Sequence, residues 1–139
     1  MIYCELLGNV KLFSFNSFYF PADLQVVAVY VKNNGGAAGF IASFGNGIVT
    51  DNTWKCTTQG IRNWHTASFD DSNWPAAVVH SANSGNTKVN GIAANAKWIG
   101  PSQRNANGFY CRRRMSVFGE KPEVGGSKCC YTLFSRGKK

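Results

Sequence analysis

Short apolar runs separated by glycine and asparagine turns constrain the fold of this chain more than any other feature of its sequence. The runs recur about every eight to twelve residues, a spacing that is typical of antiparallel sandwiches and barrels. No segment keeps the helical period over several turns, and residues 72–79 offer at most a single helical turn. The sequence therefore predicts an all-β fold.

The apolar runs predict where the strands lie. Residues 24–31 form a continuous apolar and β-branched run, which suits a central strand covered on both faces. Residues 33–36 predict a tight reversal after it, because asparagine and glycine tolerate positive φ angles. Residues 81–95 are polar and predict a loop. The other predicted strands cover residues 12–20, 40–44, 48–50, 53–58, 96–99 and 109–118.

The positive charge of the chain is concentrated near its C-terminus. The net charge is +8, and residues 112–139 carry eight Lys or Arg side chains against two Glu, a net charge of +6. Residues 1–118 are predicted to form the domain. Residues 119–139 are predicted to be a loosely ordered basic tail containing cysteines, which would attract acidic or sulfated glycans.

Three consecutive arginines lie in the last predicted strand. Strand alternation places Arg113 on the same face as Phe109 and Cys111. Arg112 and Arg114 then lie on the opposite face, which is expected to meet water. Because this geometry divides the charge between two faces, the cluster does not form a row that follows phosphates, and no specific nucleic-acid partner is predicted.

The cysteines leave two interpretations open. Their spacing does not match a zinc site, and they fit either an oxidised extracellular domain with one or two disulfides or a reduced chain with structural thiols. No signal peptide is visible, no run is long enough for a transmembrane helix, and the expected location is extracellular or secreted. The five cysteines are Cys4, Cys56, Cys111, Cys129 and Cys130.

Catalytic and cofactor motifs are absent from the sequence. It has no nucleophile elbow, no phosphate-binding glycine loop and no His-Glu-x-x-His pattern. The adjacent Asp70 and Asp71 do not match the separated carboxylate pair of a glycosidase. Asp51, Asp70 or Asp71 would be the ligands of a structural calcium ion, but no clustered acidic loop indicates one. We therefore predict a protein that is not an enzyme and needs no cofactor.

Four segments, in this order and spacing, resemble a known module: residues 26–42, 49–57, 64–77, and 96–100 followed by 109–115. The most specific piece is Phe-Asp-Asp-Ser-x-Trp-Pro-x-Ala in the third segment. Together they resemble galactose-binding-domain-like β-sandwiches, such as the accessory β-domains of bacterial α-L-rhamnosidases and related extracellular modules. The resemblance implies a jelly-roll type antiparallel β-sandwich. The family's first strands have little room before Leu12, so the module is expected either to be N-terminally truncated or to have its first strand supplied differently.

The resemblance also implies that ligands bind loops at one end of the sheets, here residues 33–39, 59–65 and 103–107. Planar amides and guanidinium groups in these loops suit contacts with vicinal hydroxyls or carboxylates. Trp64 has two open interpretations: an exposed ring that stacks on a sugar, or a buried plug at the end of the sandwich. The candidate ligand-binding residues are Asn33, Asn34, Arg62, Trp64, His65, Arg104, Asn105 and Asn107.

Three functional hypotheses follow. The first is a non-catalytic extracellular module that binds carbohydrate or a glycosylated surface through its end loops. The second is a structural or adhesive module that contacts partner protein chains in a larger assembly. The third is an accessory domain of an enzyme, without activity of its own. An exposed Trp64 would favour the first hypothesis, and a long unpaired edge strand near Leu12 would favour the second.

Overall fold

The described part of the chain contains nine β-strands and one short 3₁₀ helix, joined by turns and loops. The computed structural model describes residues 2–6, 16–18, 25–33, 35–115 and 127–132. Within these ranges the structure contains no helix that is long and apolar enough to cross a membrane. The all-β prediction is confirmed. The strands are β1 (Ile2–Leu6), β2 (Asn16–Phe18), β3 (Val26–Lys32), β4 (Gly39–Ser43), β5 (Lys55–Thr57), β6 (Val78–Ala82), β7 (Lys97–Gly100), β8 (Gly108–Arg114) and β9 (Ser127–Thr132), and the 3₁₀ helix is Gly85–Thr87.

The strands form two sheets. The first has the order β1-β3-β8-β5, and the second has the order β2-β9-β4-β7-β6. The paired strands are antiparallel in both sheets, except that β1 lies parallel to β3. The predicted reversal at residues 33–36 therefore connects β3 of one sheet to β4 of the other and does not close a hairpin. Two mainly antiparallel sheets agree with the predicted architecture, and the jelly-roll connection of their strands stays a prediction.

The hydrophobic core lies between the two sheets. Val27 and Val29 of β3 belong to one packed cluster with Phe40 of β4 and Ile99 of β7, and all four are fully buried. Trp54, which precedes β5, packs edge-on against Phe40 at 5.5 Å between ring centroids. Apolar side chains of this size each contribute about 1.5–3 kcal/mol when they leave water. This cluster therefore holds the two sheets face to face.

The outer face of the first sheet is covered by the chain between β5 and β6. Val26 and Ala28, which alternate with the core residues of β3, pack against Trp64 and Trp74 of this covering segment, residues 58–76. The rings of the two tryptophans stack at 6.5 Å between centroids. β3 is consequently buried on both faces, as the continuous apolar run in the sequence predicts.

The outer face of the second sheet is covered in the same way by the chain between β6 and β7. The predicted loop at residues 81–95 overlaps the end of β6. After β6, the side chain of Asn83 binds two later residues of the same connecting chain. Its side chain accepts a hydrogen bond from the N–H of Val89 (2.6 Å) and donates to the carbonyl of Ile92 (3.2 Å). Buried polar groups need such partners, and here they hold a polar sequence against the sheet. The buried residues of this cluster are Ile41, Val89, Ile92, Ala96 and Trp98.

Residues 72–79, the nearest candidate for a helical turn, do not form one. The N–H of Trp74 donates to the carbonyl of Asp71 (3.0 Å), and the N–H of Ser72 donates to the side chain of Asp70 (3.0 Å), which closes one tight turn. The chain then continues from Val78 as β6, because it pairs with β7. Local capping residues were present, but pairing with a neighbouring strand decided the structure.

The C-terminal part of the chain differs from the prediction, and at the N-terminal end the structure has β1, which no predicted strand covers. The segment Ser127–Thr132, predicted to lie in a loose tail, forms β9 and pairs with β4 and β2. The proposed domain boundary at residue 118 lies outside the described residues. Of the predicted strand at residues 12–20, the structure describes only β2. Of the predicted strand at residues 48–50, only Val49 makes a β-bridge, with Ser43.

Arg112 of β8 lies beneath the covering segment and is 0% exposed. Its guanidinium donates to the carboxylate of Asp71 (Nη1 to Oδ2, 2.8 Å) and to the carbonyl of Thr66 (Nη2 to O, 2.9 Å). Its Cζ lies 5.3 Å from the ring centroid of Phe69. Burial lowers the pKa of Arg112, and the charge of Asp71 acts in the opposite direction. The expectation that Arg112 meets water is wrong, because alternation tells which face a residue occupies but not what covers that face.

A disulfide joins Cys56 of β5 to Cys111 of β8. The two residues lie directly opposite each other in the register, and both are fully buried. For this pair the structure decides between the two interpretations of the cysteines in favour of a disulfide. The side chains of Cys4, Cys129 and Cys130 lie outside the described part of the chain.

We expect Arg112→Met to lower the free energy of unfolding by about 3–5 kcal/mol, because it leaves the carboxylate of Asp71 without its buried partner. Arg113→Met is the matched control, and its cost is expected to stay below about 1 kcal/mol because the Arg113 guanidinium is only partly buried. Urea denaturation measures both values. Equal losses for the two variants would contradict a special role for Arg112.

The disulfide closes a loop between residues separated by 55 positions. For a loop of this length, chain entropy predicts that the Cys56→Ala/Cys111→Ala variant loses about 4 kcal/mol of stability. Thermal unfolding of this variant beside the unmodified protein measures the loss, and peptide mapping without reductant checks that the native pair is Cys56–Cys111. A peptide map that links either cysteine to a different partner would contradict the assignment.

Candidate functional site

Three polar segments meet at one end of the two sheets. β3, β5 and β7 end there and β8 begins there, as the antiparallel registers of these strands require. The segments that follow or precede these strand ends are residues 33–38, 58–63 and 101–107. These segments overlap the three predicted loops, residues 33–39, 59–65 and 103–107, and the loop end of the structure is defined here as residues 33–38, 58–63 and 101–107.

Asn33 joins the first and third of these segments. Its side-chain amide donates to the carbonyls of Gly36 (2.7 Å) and Ala106 (2.9 Å), and its side-chain oxygen accepts from the N–H of Gly35 (3.0 Å). Its backbone N–H donates to the carbonyl of Asn107 (2.7 Å). Gly36 has a φ of 76°, a value that favours glycine at this turn. Asn33 is 6% exposed and therefore serves to hold two loops together.

The second segment is held against the same frame. The hydroxyl of Thr58 donates to the side-chain oxygen of Gln103 (3.3 Å), which links it to the third segment. Gly60 passes so close to Tyr110 of β8 that a Cβ atom at this position would overlap the ring. Only glycine permits this approach, and the residue fixes the path of the chain at the loop end.

Trp64 and His65 belong to the covering segment and not to an exposed platform. The Trp64 ring is 9% exposed and packs edge-on against Tyr110 at 4.9 Å between ring centroids. His65 is half-buried beside it, at 5.7 Å between ring centroids. Of the two interpretations of Trp64, the structure supports the buried one. Sugar stacking on this ring would require the covering segment to open.

Four of the predicted binding residues lie exposed at the loop end. They are Arg62, Arg104, Asn105 and Asn107. Asn34 lies outside the described residues. The structure thus divides the candidates into exposed side chains that can meet a ligand and buried ones, such as Asn33, that hold the loops.

His80 is a residue of this end that the sequence did not indicate. Its Nε2 lies 3.0 Å from the carbonyl oxygen of Pro101, the first residue of the third segment. Burial lowers the pKa of His80, the positive charge of Arg104 lowers it as well, and the hydrogen bond to Pro101 raises it. No local sequence signal connects residue 80 with residue 104, because the contact depends on the pairing of β6 with β7.

The three aspartates proposed as calcium ligands have other partners. Asp71 binds Arg112, and its second oxygen lies 3.5 Å from Nζ of Lys55. Asp70 accepts from the N–H of Ser72, and this hydrogen bond lowers its pKa. Asp51 accepts from the N–H of Thr53 (2.9 Å). Among the residues with described side chains, no group of three His, Cys, Asp or Glu is arranged to hold a metal ion.

Comparison of the chain with protein-family models, with curated protein sequences and with solved structures finds no match.

We expect Asn33→Ala to loosen the loop end without changing its charge. The substitution leaves the carbonyls of Gly36 and Ala106 without their donor, and unsatisfied groups of this kind cost about 1–3 kcal/mol each. Hydrogen exchange of residues 35–38 and 103–107 is expected to accelerate. Asn105→Ala is the control, since Asn105 is exposed and its loss should change stability by less than about 0.5 kcal/mol. Unchanged exchange in Asn33→Ala would contradict the joining role.

Proposed function

We propose that the protein is a non-catalytic module that binds carbohydrate, or a glycosylated surface, at the loop end. One observation carries this proposal: three polar loops converge there on a hydrogen-bonded frame and expose several guanidinium and amide side chains, with Ile61 as an exposed apolar neighbour. Guanidinium and amide groups are planar and offer donors at fixed angles, which suits paired contacts with neighbouring hydroxyls. The exposed side chains of this kind include the predicted residues Arg62, Arg104, Asn105 and Asn107, together with Gln59, Asn63 and Gln103.

The frame matters because a loop that is already ordered loses less entropy when a ligand binds. The bonds of Asn33 to two loops and the close approach of Gly60 to Tyr110 supply such order. Weak polar contacts of a sugar then do not have to compensate for the ordering of the protein. In this proposal Trp64 acts as a support beneath the second segment and does not touch the ligand.

We infer an extracellular location for this activity. The Cys56–Cys111 disulfide is typical of proteins from oxidising compartments, where such bonds form and persist. Glycans on cell surfaces and in secreted material are the carbohydrates available there. The resemblance to galactose-binding-domain-like modules points to the same kind of function and remains a proposal alongside it.

A second candidate function is that of an adhesive or structural module that binds partner protein chains. It is favoured by β6, which is the last strand of its sheet and exposes Val78 (38%) and Val79 (43%). Edge strands with exposed β-branched residues tend to pair with other chains. Concentration-dependent association that Val79→Lys abolishes would favour this function over glycan binding.

The test of the proposed function is a glycan array probed with the full chain and with the Asn105→Ala/Asn107→Ala variant. Binding by the full chain is expected to fall at least about tenfold in the variant, because two exposed amides leave the loop end. The matched control is Asn95→Ala, an exposed asparagine that precedes β7 and therefore lies at the opposite end of that strand. The control is expected to bind like the unmodified protein.

Two results would contradict the proposal. One is the absence of glycan binding by the full chain. The other is binding that the Asn105→Ala/Asn107→Ala variant retains in full, since the ligand would then sit elsewhere. Trp64→Ala is unsuitable as the test variant, because removing a buried ring of this size costs about 3–5 kcal/mol and destabilises the fold.

A further inference from the structure

The arginines of the described chain fall into two groups. Arg112 donates to Asp71 and to the carbonyl of Thr66, as described above. Arg113 donates to the hydroxyl of Thr53 (3.1 Å), and Arg114 donates to carbonyls of the covering segment at 2.8 and 3.0 Å. The guanidinium groups of β8 therefore serve the fold.

The other two arginines, Arg62 and Arg104, are exposed, and within the described ranges no hydrogen bond or ion pair engages their guanidinium groups. Both lie at the loop end, on its second and third segments. A guanidinium carries five donors and is charged at every physiological pH. The guanidinium groups that the fold leaves unused within the described residues are thus found where the proposed ligand binds.

The loop end has no acidic side chain to balance these charges. Residues 32–38, 58–63 and 101–107 contain three cationic side chains, Lys32, Arg62 and Arg104, and no Asp or Glu. The aspartates with described side chains lie outside these segments. The three segments and the adjoining Lys32 of β3 therefore carry a net charge of +3, which favours an anionic group over a cationic one.

The charge of Arg104 acts locally at this end. It contributes to the lowered pKa of His80, whose Nε2 in turn lies against the carbonyl of Pro101 at the start of the same loop. An anion bound beside Arg104 would offset its positive charge and therefore raise the pKa of His80. The ring of His80 is consequently a reporter for any ligand bound beside Arg104.

We propose that the loop end recognises the acidic group, a carboxylate or a sulfate, of an acidic glycan, with the guanidinium groups of Arg104 and Arg62 as its ligands and the amides of Asn105 and Asn107 on neighbouring sugar oxygens. Carboxylates and sulfates accept two parallel N–H bonds from a guanidinium, a geometry that a neutral hydroxyl does not match. The inference rests on the proposed function, and it names the class of glycan. It also relocates the attraction for acidic glycans from the basic tail to the loop end.

Single-stranded nucleic acid is the polyanion that this surface fits less well. Its binding sites combine a basic groove with aromatic rings on which bases stack. At the loop end the nearby rings of Trp64 and Tyr110 pack against each other and not outwards. The disulfide also favours a compartment in which glycans are the common polyanions.

The experiment compares polysaccharides with the same backbone and different charge: dextran sulfate with dextran, and polygalacturonate with its methyl-esterified form, together with a general glycan array. Binding is measured at low and at physiological ionic strength for the full chain, for Arg104→Gln and for Arg62→Gln. Lys88→Gln is the control, because it removes one exposed positive charge next to the 3₁₀ helix, away from the loop end. Chemical shifts of His80, Asn105 and Asn107 report where the ligand binds.

We expect the acidic member of at least one pair to bind at least tenfold more tightly than the neutral one. Each Arg→Gln variant is expected to lose about tenfold in affinity, the loss of one charge-assisted contact, whereas Lys88→Gln retains the affinity. The shifts of His80 should move with the acidic ligand in the full chain. Together these results would support the inference.

Other outcomes overturn it in distinguishable ways. Neutral glycans that bind as tightly as acidic ones, with a loss in Asn105→Ala/Asn107→Ala and none in the arginine variants, would leave the proposed function intact and remove the acidic class. Equal losses in Lys88→Gln and Arg104→Gln would mean unspecific attraction to the net charge. Single-stranded DNA binding as tight as that of dextran sulfate would mean a general polyanion surface. No binding to any glycan would overturn both the inference and the proposed function.

Discussion

The buried ion pair between Arg112 and Asp71 is the interaction on which the rest of the structure depends. An arginine in the middle of a strand can be buried only if its charge is met, and Asp71 meets it from a segment 41 residues earlier in the chain. The same guanidinium binds a carbonyl of that segment and lies against the ring of Phe69. One side chain thus ties the covering segment to the first sheet.

The covering segment in turn determines what the loop end exposes. It buries Trp64 against Tyr110 and carries Arg62 outward on its first turn. The disulfide to Cys111 holds β5, from which the segment starts, beside the strand that carries Arg112. The disulfide at Cys111 and the ion pair at Arg112 therefore hold the start and the middle of the covering segment. The second segment of the loop end lies between these two attachment points and is kept in place by them.

The motif Phe-Asp-Asp-Ser-x-Trp-Pro-x-Ala gains a physical explanation from this arrangement. Phe69 lies against the guanidinium of Arg112, Asp71 neutralises that charge, and Asp70 closes the turn at Ser72. Trp74 packs on Phe69 at 5.7 Å between ring centroids. The motif has a structural role, because its residues form part of the covering segment over the first sheet. Sequence inspection could identify the motif as a turn with buried rings, but it could not identify Arg112 as its partner.

The local residue pattern was sufficient to predict a segment's structure where no distant partner decided the outcome. The apolar run of β3 could be predicted as a strand with two covered faces, and the reversal at residues 33–36 could be predicted from its asparagines and glycines. Prediction was wrong where a distant partner decided the outcome. Arg112 was expected in water because its cover lies elsewhere in the chain, residues 72–79 became a turn and a strand because β7 was available, and Ser127–Thr132 became a strand because β4 was available.

The sequence by itself determined that the chain is all-β, where its central strand lies, and which loops are polar, because each of these properties depends on neighbouring residues in the chain. Only the tertiary structure decided which of the polar and aromatic residues remain at the surface. Asn33 and Asn105 are chemically identical, and Arg112 and Arg104 are too, yet one of each pair holds the fold and the other meets water. The physical reason is that burial and hydrogen-bond partners come from segments far apart in the chain, so they exist only once the two sheets and their covers have assembled.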